Sequence, residues 1–166
     1  MNIRLLVVAA VAQLLVLGGM LVSASIPLWT GQEVRLATVP VDPRSLFRGN
    51  YARLNYEISQ IESSMFPNLE TLRHGEVVFI LLNSHGGIAQ LSGVSLEEPG
   101  DQLFIRGRLQ HPAANIDQQN VNYGIEAFFA PKQKALALEA QLVAGGVAKV
   151  MLASNGKAAL VELESR

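Results

Sequence analysis

The sequence predicts an N-terminal transmembrane helix followed by a mainly-β (β-rich α+β) domain, built as an antiparallel sheet or partly closed barrel with one late helix. Three observations predict it. An uncharged apolar run extends from Leu5 to Leu28. Alternation of apolar and polar residues with period two recurs through most of the remainder. Near the C-terminus, 131–143 (PKQKALALEAQLV) changes to helix-forming composition.

Within the apolar run, Gln13 is the only strongly polar side chain. Pro27 disfavours helical geometry at Ile26, so the helix is expected to end near Ser25. Residues 5–25 would then span about 31 Å, close to a hydrocarbon core of roughly 30 Å. Trp29 follows at the level of an interfacial aromatic. Arg4 and the α-amino group flank one side, whereas Glu33 precedes Arg35 on the other. The positive-inside rule therefore puts the N-terminus in the cytoplasm and the domain in the periplasm or cell exterior. A cleaved signal peptide is the competing reading, with Val22-Ser23-Ala24 as its cleavage site. The run exceeds the usual apolar core of about 7–15 residues, which favours a single-pass signal-anchor. Gly19 and Ser23 form a small-xxx-small pair able to seat another helix. The chain thus divides into an anchor, 1–30, and an extracytoplasmic domain, 31–166.

The domain reads mainly as strands. In 32–39 (QEVRLATV), Val34, Leu36 and Thr38 share one face, and Glu33 and Arg35 the other. In 51–59 (YARLNYEIS), Ala52, Leu54, Tyr56 and Ile58 alternate with Arg53, Asn55 and Glu57, the signature of one half-buried strand. Residues 76–82 (EVVFILL) are apolar on both faces, as in a central strand. Strands at 90–96, 102–109 and 121–129 follow, separated by Gly86-Gly87, Pro99-Gly100 and His111-Pro112. The helix at 131–143 begins on Pro131 and is followed by Gly145-Gly146. Ser154-Asn155-Gly156 should join 147–153 and 157–163 as a closing hairpin.

Composition excludes several functions. The chain has no cysteine, so disulfides, thiolate metal sites and a cysteine nucleophile are absent. A formal net charge of −1 lacks the basic excess of a nucleic-acid binder. A domain of this size can bury about two-thirds of its unfolded surface and needs no staples to fold.

The segment 41–56 (VDPRSLFRGNYARLNY) has legible local physics. Asp42 suits an N-cap, Pro43 a first helical position and Gly49 the left-handed residue that ends a short helix. Gly49, Asn50, Tyr51, Leu54 and Tyr56 together resemble the motif Gly-Asp-Tyr-x-x-Leu-x-Tyr, and the chain resembles the GDYXXLXY family named for it. The runs 38–44 (TVPVDPR), 94–97 (VSLE), 104–108 (FIRGR) and 123–126 (YGIE) carry the same resemblance. It implies a membrane-anchored protein with a membrane partner, since some members are encoded beside multi-pass membrane proteins. Asn50 stands where the family has Asp. Asn cannot replace the proton chemistry of a carboxylate, but it bonds turns and tolerates left-handed geometry. The difference therefore points to a turn role.

Candidate interaction residues are Asp42, Arg44, Arg48, Gly49, Asn50, Tyr51, Arg53, Leu54, Tyr56, Arg106, Tyr123 and Glu126. Arg35, Arg44, Arg48 and Arg53 cluster in sequence, and Arg106 and Arg108 share a strand face. If those strands are neighbours, they form a cationic surface for lipid phosphates or an acidic partner. Otherwise they are solvated faces with weak ion pairs to Glu33, Glu57 and Glu126. Tyr51 and Tyr123 fit either a recognition surface or the core, and Tyr56 fits the core. His74, His85 and His111 have no ligand-like spacing, so no metal and no other cofactor is expected. A peptidase with a Ser/Lys dyad would draw on Ser45, Ser63 or Ser64 and on Lys132, Lys134, Lys149 or Lys157. These lysines fall on a helix and hairpin ends, where they are normally solvated. The function expected is a non-catalytic anchored domain that contacts the bilayer and binds or stabilises a multi-pass membrane protein. The alternatives are a small-ligand or lipid-binding module and the peptidase.

Overall fold

The apolar run folds as one helix, α1 (Ile3–Thr30), in a computed structural model that describes residues 3–39, 51–84, 87–129 and 145–165, the side chains of 51–53, 129 and 165 excepted. It is long and apolar enough to cross a membrane. The expected end near Ser25 is corrected: α1 runs through Pro27 to Thr30. Proline removes only its own hydrogen bond, and the last turn closes again through Gly31 N–H to the Pro27 carbonyl at 3.0 Å. Ser25 and Thr30 hydroxyls bond the Leu21 and Ile26 carbonyls. Of the helix, Pro27 alone is buried.

Gly31 is the whole connection to β1 (Gln32–Val39), whose inward residues Val34, Leu36 and Thr38 are buried as its alternation predicts. The strands that follow are β2 (Tyr51–Arg53), β3 (Asn55–Tyr56), β4 (Gln60–Glu62), β5 (Val77–Asn83), β6 (Gln90–Ser95), β7 (Phe104–Gln110), β8 (Gln118–Asn122), β9 (Ala127–Phe129), β10 (Gly146–Leu152) and β11 (Ala158–Ser165). They form a four-stranded sheet in the order β11-β10-β1-β3, a five-stranded sheet in the order β4-β8-β7-β5-β6, and the pair β2-β9. Paired strands within these sheets are antiparallel, as in β1 with β10 and β5 with β7. The domain is therefore β-rich, with a half-barrel arrangement. The expected helix at 131–143 lies outside the described residues.

One core fills the space between the larger sheets. Leu36 and Val150 approach from the first, and Val78, Ile80, Ile105, Leu109, Val121 and Ile61 from the second, all nearly inaccessible to water. The sheets are also stitched by backbone: Ala89 N–H bonds the Arg35 carbonyl at 2.7 Å, and Arg106 N–H the Gly156 carbonyl at 2.8 Å.

Two expected strands are broken. Residues 51–59 form β2, β3 and a 3-10 turn (Glu57–Ser59) instead of one strand. The reason is a change of partner: β2 pairs with β9, β3 with β1, and β4 with β8. Chain that laces separate sheets must bend between them. The alternation still holds, since Leu54, Tyr56 and Ile58 are buried. Residues 121–129 likewise split into the end of β8 and β9, separated by a turn with Gly124 at φ 83°. The closing hairpin forms as expected, with Gly156 at φ 75°.

Candidate functional site

The described part of the motif segment meets the 123–126 turn in a reciprocal clasp. Leu54 N–H bonds the Glu126 carbonyl at 2.8 Å. Tyr56 donates its hydroxyl to the Ile125 carbonyl at 2.7 Å, and Tyr123 donates its own to the Ile58 carbonyl. The two rings meet edge to face with centroids 6.4 Å apart. Glu126 secures the turn, its carboxylate accepting the Tyr123 N–H and, at 2.9 Å, the Gly124 N–H. Burial, and secondarily the Glu126 charge, pushes both phenols well above their ordinary value. At neutral pH they are fixed hydrogen-bond donors. Leu54, Tyr56 and Tyr123 are buried and shape this junction from within.

The other candidates are distributed differently. Asp42, Arg44, Arg48, Gly49 and Asn50 lie outside the described residues. Tyr51 and Arg53 occupy β2, opposite Phe129 and Ala127 of β9. Arg35 is on β1 and Arg106 and Arg108 are on β7, in different sheets. The ion pairs also differ from those expected: Arg35 approaches Glu164 at 3.9 Å, and Glu33 pairs with Lys149 at 3.2 Å. Glu126 is used as a backbone cap.

Two clefts border this junction. The larger, of about 890 Å³, lies between α1 and the outer face of β7, β8 and the closing hairpin. Its helix wall includes the apolar residues Val16, Gly19 and Met20 with Ser23 above them, and its polar wall Arg106, Arg108, Asn122, Glu126 and Lys157. Lys157 is a residue that sequence reasoning did not place with the arginines. A Cβ at Gly156 would lie 2.5 Å from the Phe104 ring and 3.0 Å from the Arg106 Cβ, so glycine lets the hairpin turn sit close on β7. The second cleft, of about 600 Å³, lies at the far end of β1 and is lined by Val39, Asn55, Ser59, Gln60, Gln110, His111, Asn120 and Asn122 among others. Gln60, Asn120 and Gln110 form one cross-strand row over β4, β8 and β7. The buried Ser59 hydroxyl has no hydrogen-bond partner. The sequence signal for this cleft was the run Gln118–Asn122 (QQNVN), since asparagine is depleted in strands unless something else requires it.

The remaining polar groups are occupied structurally. Ser63 donates to the Ile116 carbonyl at 2.5 Å and accepts from Gln119. Ser64 bonds Glu62. No described serine hydroxyl bonds a lysine, and Ser45, Lys132 and Lys134 lie outside the described residues. His74 and His111 stack with ring centroids 4.2 Å apart. His111 N–H bonds His74 Nδ1 at 3.2 Å. Strand pairing of β7 next to the 74–76 turn produces this contact, which sequence spacing does not reveal. Among the described residues no group of three or more His, Cys, Asp or Glu is disposed to hold a metal.

A family model described as GDYXXLXY protein matches residues 13–163. The chain belongs to that family, and the match includes part of α1 and both halves of the tyrosine clasp. No curated protein and no solved structure matches the chain.

Proposed function

We propose that the protein is a non-catalytic, single-pass membrane protein whose domain stands on the outer face of the cytoplasmic membrane and binds or stabilises an integral membrane partner. The joint between anchor and domain carries this reading. One residue, Gly31, separates α1 from β1. A Cβ there would lie 2.3 Å from the Pro27 carbonyl oxygen and 3.0 Å from the Leu152 backbone nitrogen. The helix end and the sheet are therefore bolted together without a tether. A domain so held presents one face at one height above the bilayer, which suits a partner in the same membrane. The charge asymmetry between Arg4 and the Glu33/Arg35 pair supports the orientation. The exposed flanks of α1 that face away from the domain leave room for a neighbouring helix.

The test inserts a flexible Gly-Ser segment between Thr30 and Gly31 and compares this variant with wild type. Both are purified in mild detergent from native membranes, with mass spectrometry of the eluate. A multi-pass protein recovered with wild type and depleted from a folded, membrane-bound variant is the expected result. Equal recovery would remove the joint argument. Absence of a partner from both would move the reading to a ligand-binding module.

A further inference from the structure

The larger cleft has the two walls of an amphiphile site, and we propose that it binds the headgroup phosphate of an anionic phospholipid from the outer leaflet. The inference rests on α1 crossing the bilayer. Counting from Arg4, a hydrocarbon thickness of roughly 30 Å is used up near residue 24. Ser23 and the residues after it then stand at headgroup level, while Val16, Gly19 and Met20 lie among acyl chains.

Strand register places Arg106 and Lys157 at the α1 end of the sheet. Gln32, the first residue of β1, is opposite Leu152, so the turn that follows β10 lies at the membrane end of the sheet. Arg106 is held there by its N–H bond to the Gly156 carbonyl at 2.8 Å. Lys157 follows in the turn, and Arg108 projects on the same face of β7 as Arg106. The described ion pairs involve none of these three cations. Arg108 donates one N–H to the Gly75 carbonyl at 2.8 Å, which orients the guanidinium and leaves the rest of its fork for a ligand. Glu126 also borders the cleft, but its oxygens already accept backbone N–H groups. The polar wall is therefore cationic, and the apolar wall continues downward along the helix as a seat for an acyl chain.

Full-length protein reconstituted in nanodiscs of phosphatidylcholine and phosphatidylglycerol in equal parts tests the proposal. After gentle detergent release, native mass spectrometry reads the retained lipid. Wild type should retain phosphatidylglycerol in preference to phosphatidylcholine. Removing cations one at a time, as Arg106→Gln, Arg108→Gln and Lys157→Gln, should weaken that preference about fivefold each, from roughly 1 kcal/mol per cation near a membrane surface. Arg35→Gln is the control, since Arg35 lies near Glu164 on the other sheet, and it should leave retention unchanged. An equal loss in the control, or no preference in wild type, overturns the site. Displacement of the lipid by inorganic phosphate would identify a free-phosphate site instead and overturn the lipid assignment. Thermal unfolding of each variant separates lost binding from lost folding. Carbonate extraction of native membranes separates the two readings. Release of the protein would overturn the spanning anchor and the site together, whereas a retained protein without lipid preference overturns the site alone.

Discussion

The two ends of β1 are finished in opposite ways. At the α1 end the backbone is crowded: a Cβ at Gly31 would meet the Pro27 carbonyl and Leu152, and one at Gly156 would meet Phe104 and Arg106. The cleft there gathers the cations Arg106, Arg108 and Lys157 beside Asn122 and Glu126. At the far end, Val39 borders a cleft whose lining includes the neutral amides Asn55, Gln60, Gln110, Asn120 and Asn122, with a buried Ser59 hydroxyl that lacks a partner. Asn122 and Glu126 border both clefts, so the tyrosine clasp is the wall between them. The contrast teaches that close backbone contact and charge are gathered where the domain meets α1, while neutral hydrogen-bonding groups line the other end.

If the clasp is that common wall, removing it should damage both ends at once. Tyr56→Ala is expected to destabilise the domain most, by about 3–5 kcal/mol, as for other large aromatic truncations in cores. Tyr56→Phe keeps the ring and loses only the bond to Ile125, for about 1 kcal/mol. Thermal unfolding of the detergent-solubilised protein measures both. Equal small losses from the two would mean that ring packing does not carry the junction and would break the comparison.

Next in size is Gly156→Ala, at about 2–4 kcal/mol. The new Cβ would meet a left-handed backbone at φ 75° and sit 2.5 Å from the Phe104 ring. Gly100→Ala is the matched control, because nothing lies within 4 Å of its Cβ position. Its expected change is close to zero. Similar unfolding midpoints for the two variants would remove the claim that the α1 end is the tightly built one.

Much of this architecture was legible in the sequence, for reasons visible in particular residues. Alternation in 32–39 gave the correct buried face because β1 keeps regular partners along its length. The turn at Ser154-Asn155-Gly156 was readable because asparagine and glycine there answer local geometry. Alternation in 51–59 identified Leu54, Tyr56 and Ile58 as inward but gave no sign that the segment changes partner twice. Strand pairing is non-local, so it leaves little mark on the pattern of a single segment. The same limit hid the His74–His111 stack and the approach of Lys157 to Arg106. Pro27 misled in the other direction, since a proline near a helix end costs one bond without forcing termination. The amide cleft had a compositional trace in residues 118–122, where strand propensity and the observed strand disagree.

The clasp also predicts an alkaline response. Both tyrosines have phenol values raised in the folded state by burial, with Glu126 a second cause. Below the ordinary value of 10.0 the folded and unfolded chains both keep these protons, and the stabilisation is fully present. Above it the unfolded chain ionises while the folded chain resists, so stability falls as pH rises. Denaturant midpoints measured from about pH 9 to about pH 12 should decline for wild type and decline less for a Tyr56→Phe, Tyr123→Phe double variant. Parallel slopes would show that other groups govern alkaline unfolding.

The smallest expected effect tests the far end most directly. Asn120 sits in the middle of the Gln60–Asn120–Gln110 row, and none of the described hydrogen bonds uses its side chain. Asparagine suits a strand poorly and valine suits it well, so Asn120→Val should leave stability unchanged or raise it by up to about 1 kcal/mol. The unfolding midpoint in denaturant measures this, with an unchanged slope showing that the folded state is preserved. A gain would mean that this residue is retained at a cost to stability, as expected where an amide is kept for contact with something outside the chain. A clear loss would make Asn120 a structural residue, and the two ends of β1 would then differ in the chemistry of their side chains but not in how fully the fold uses them.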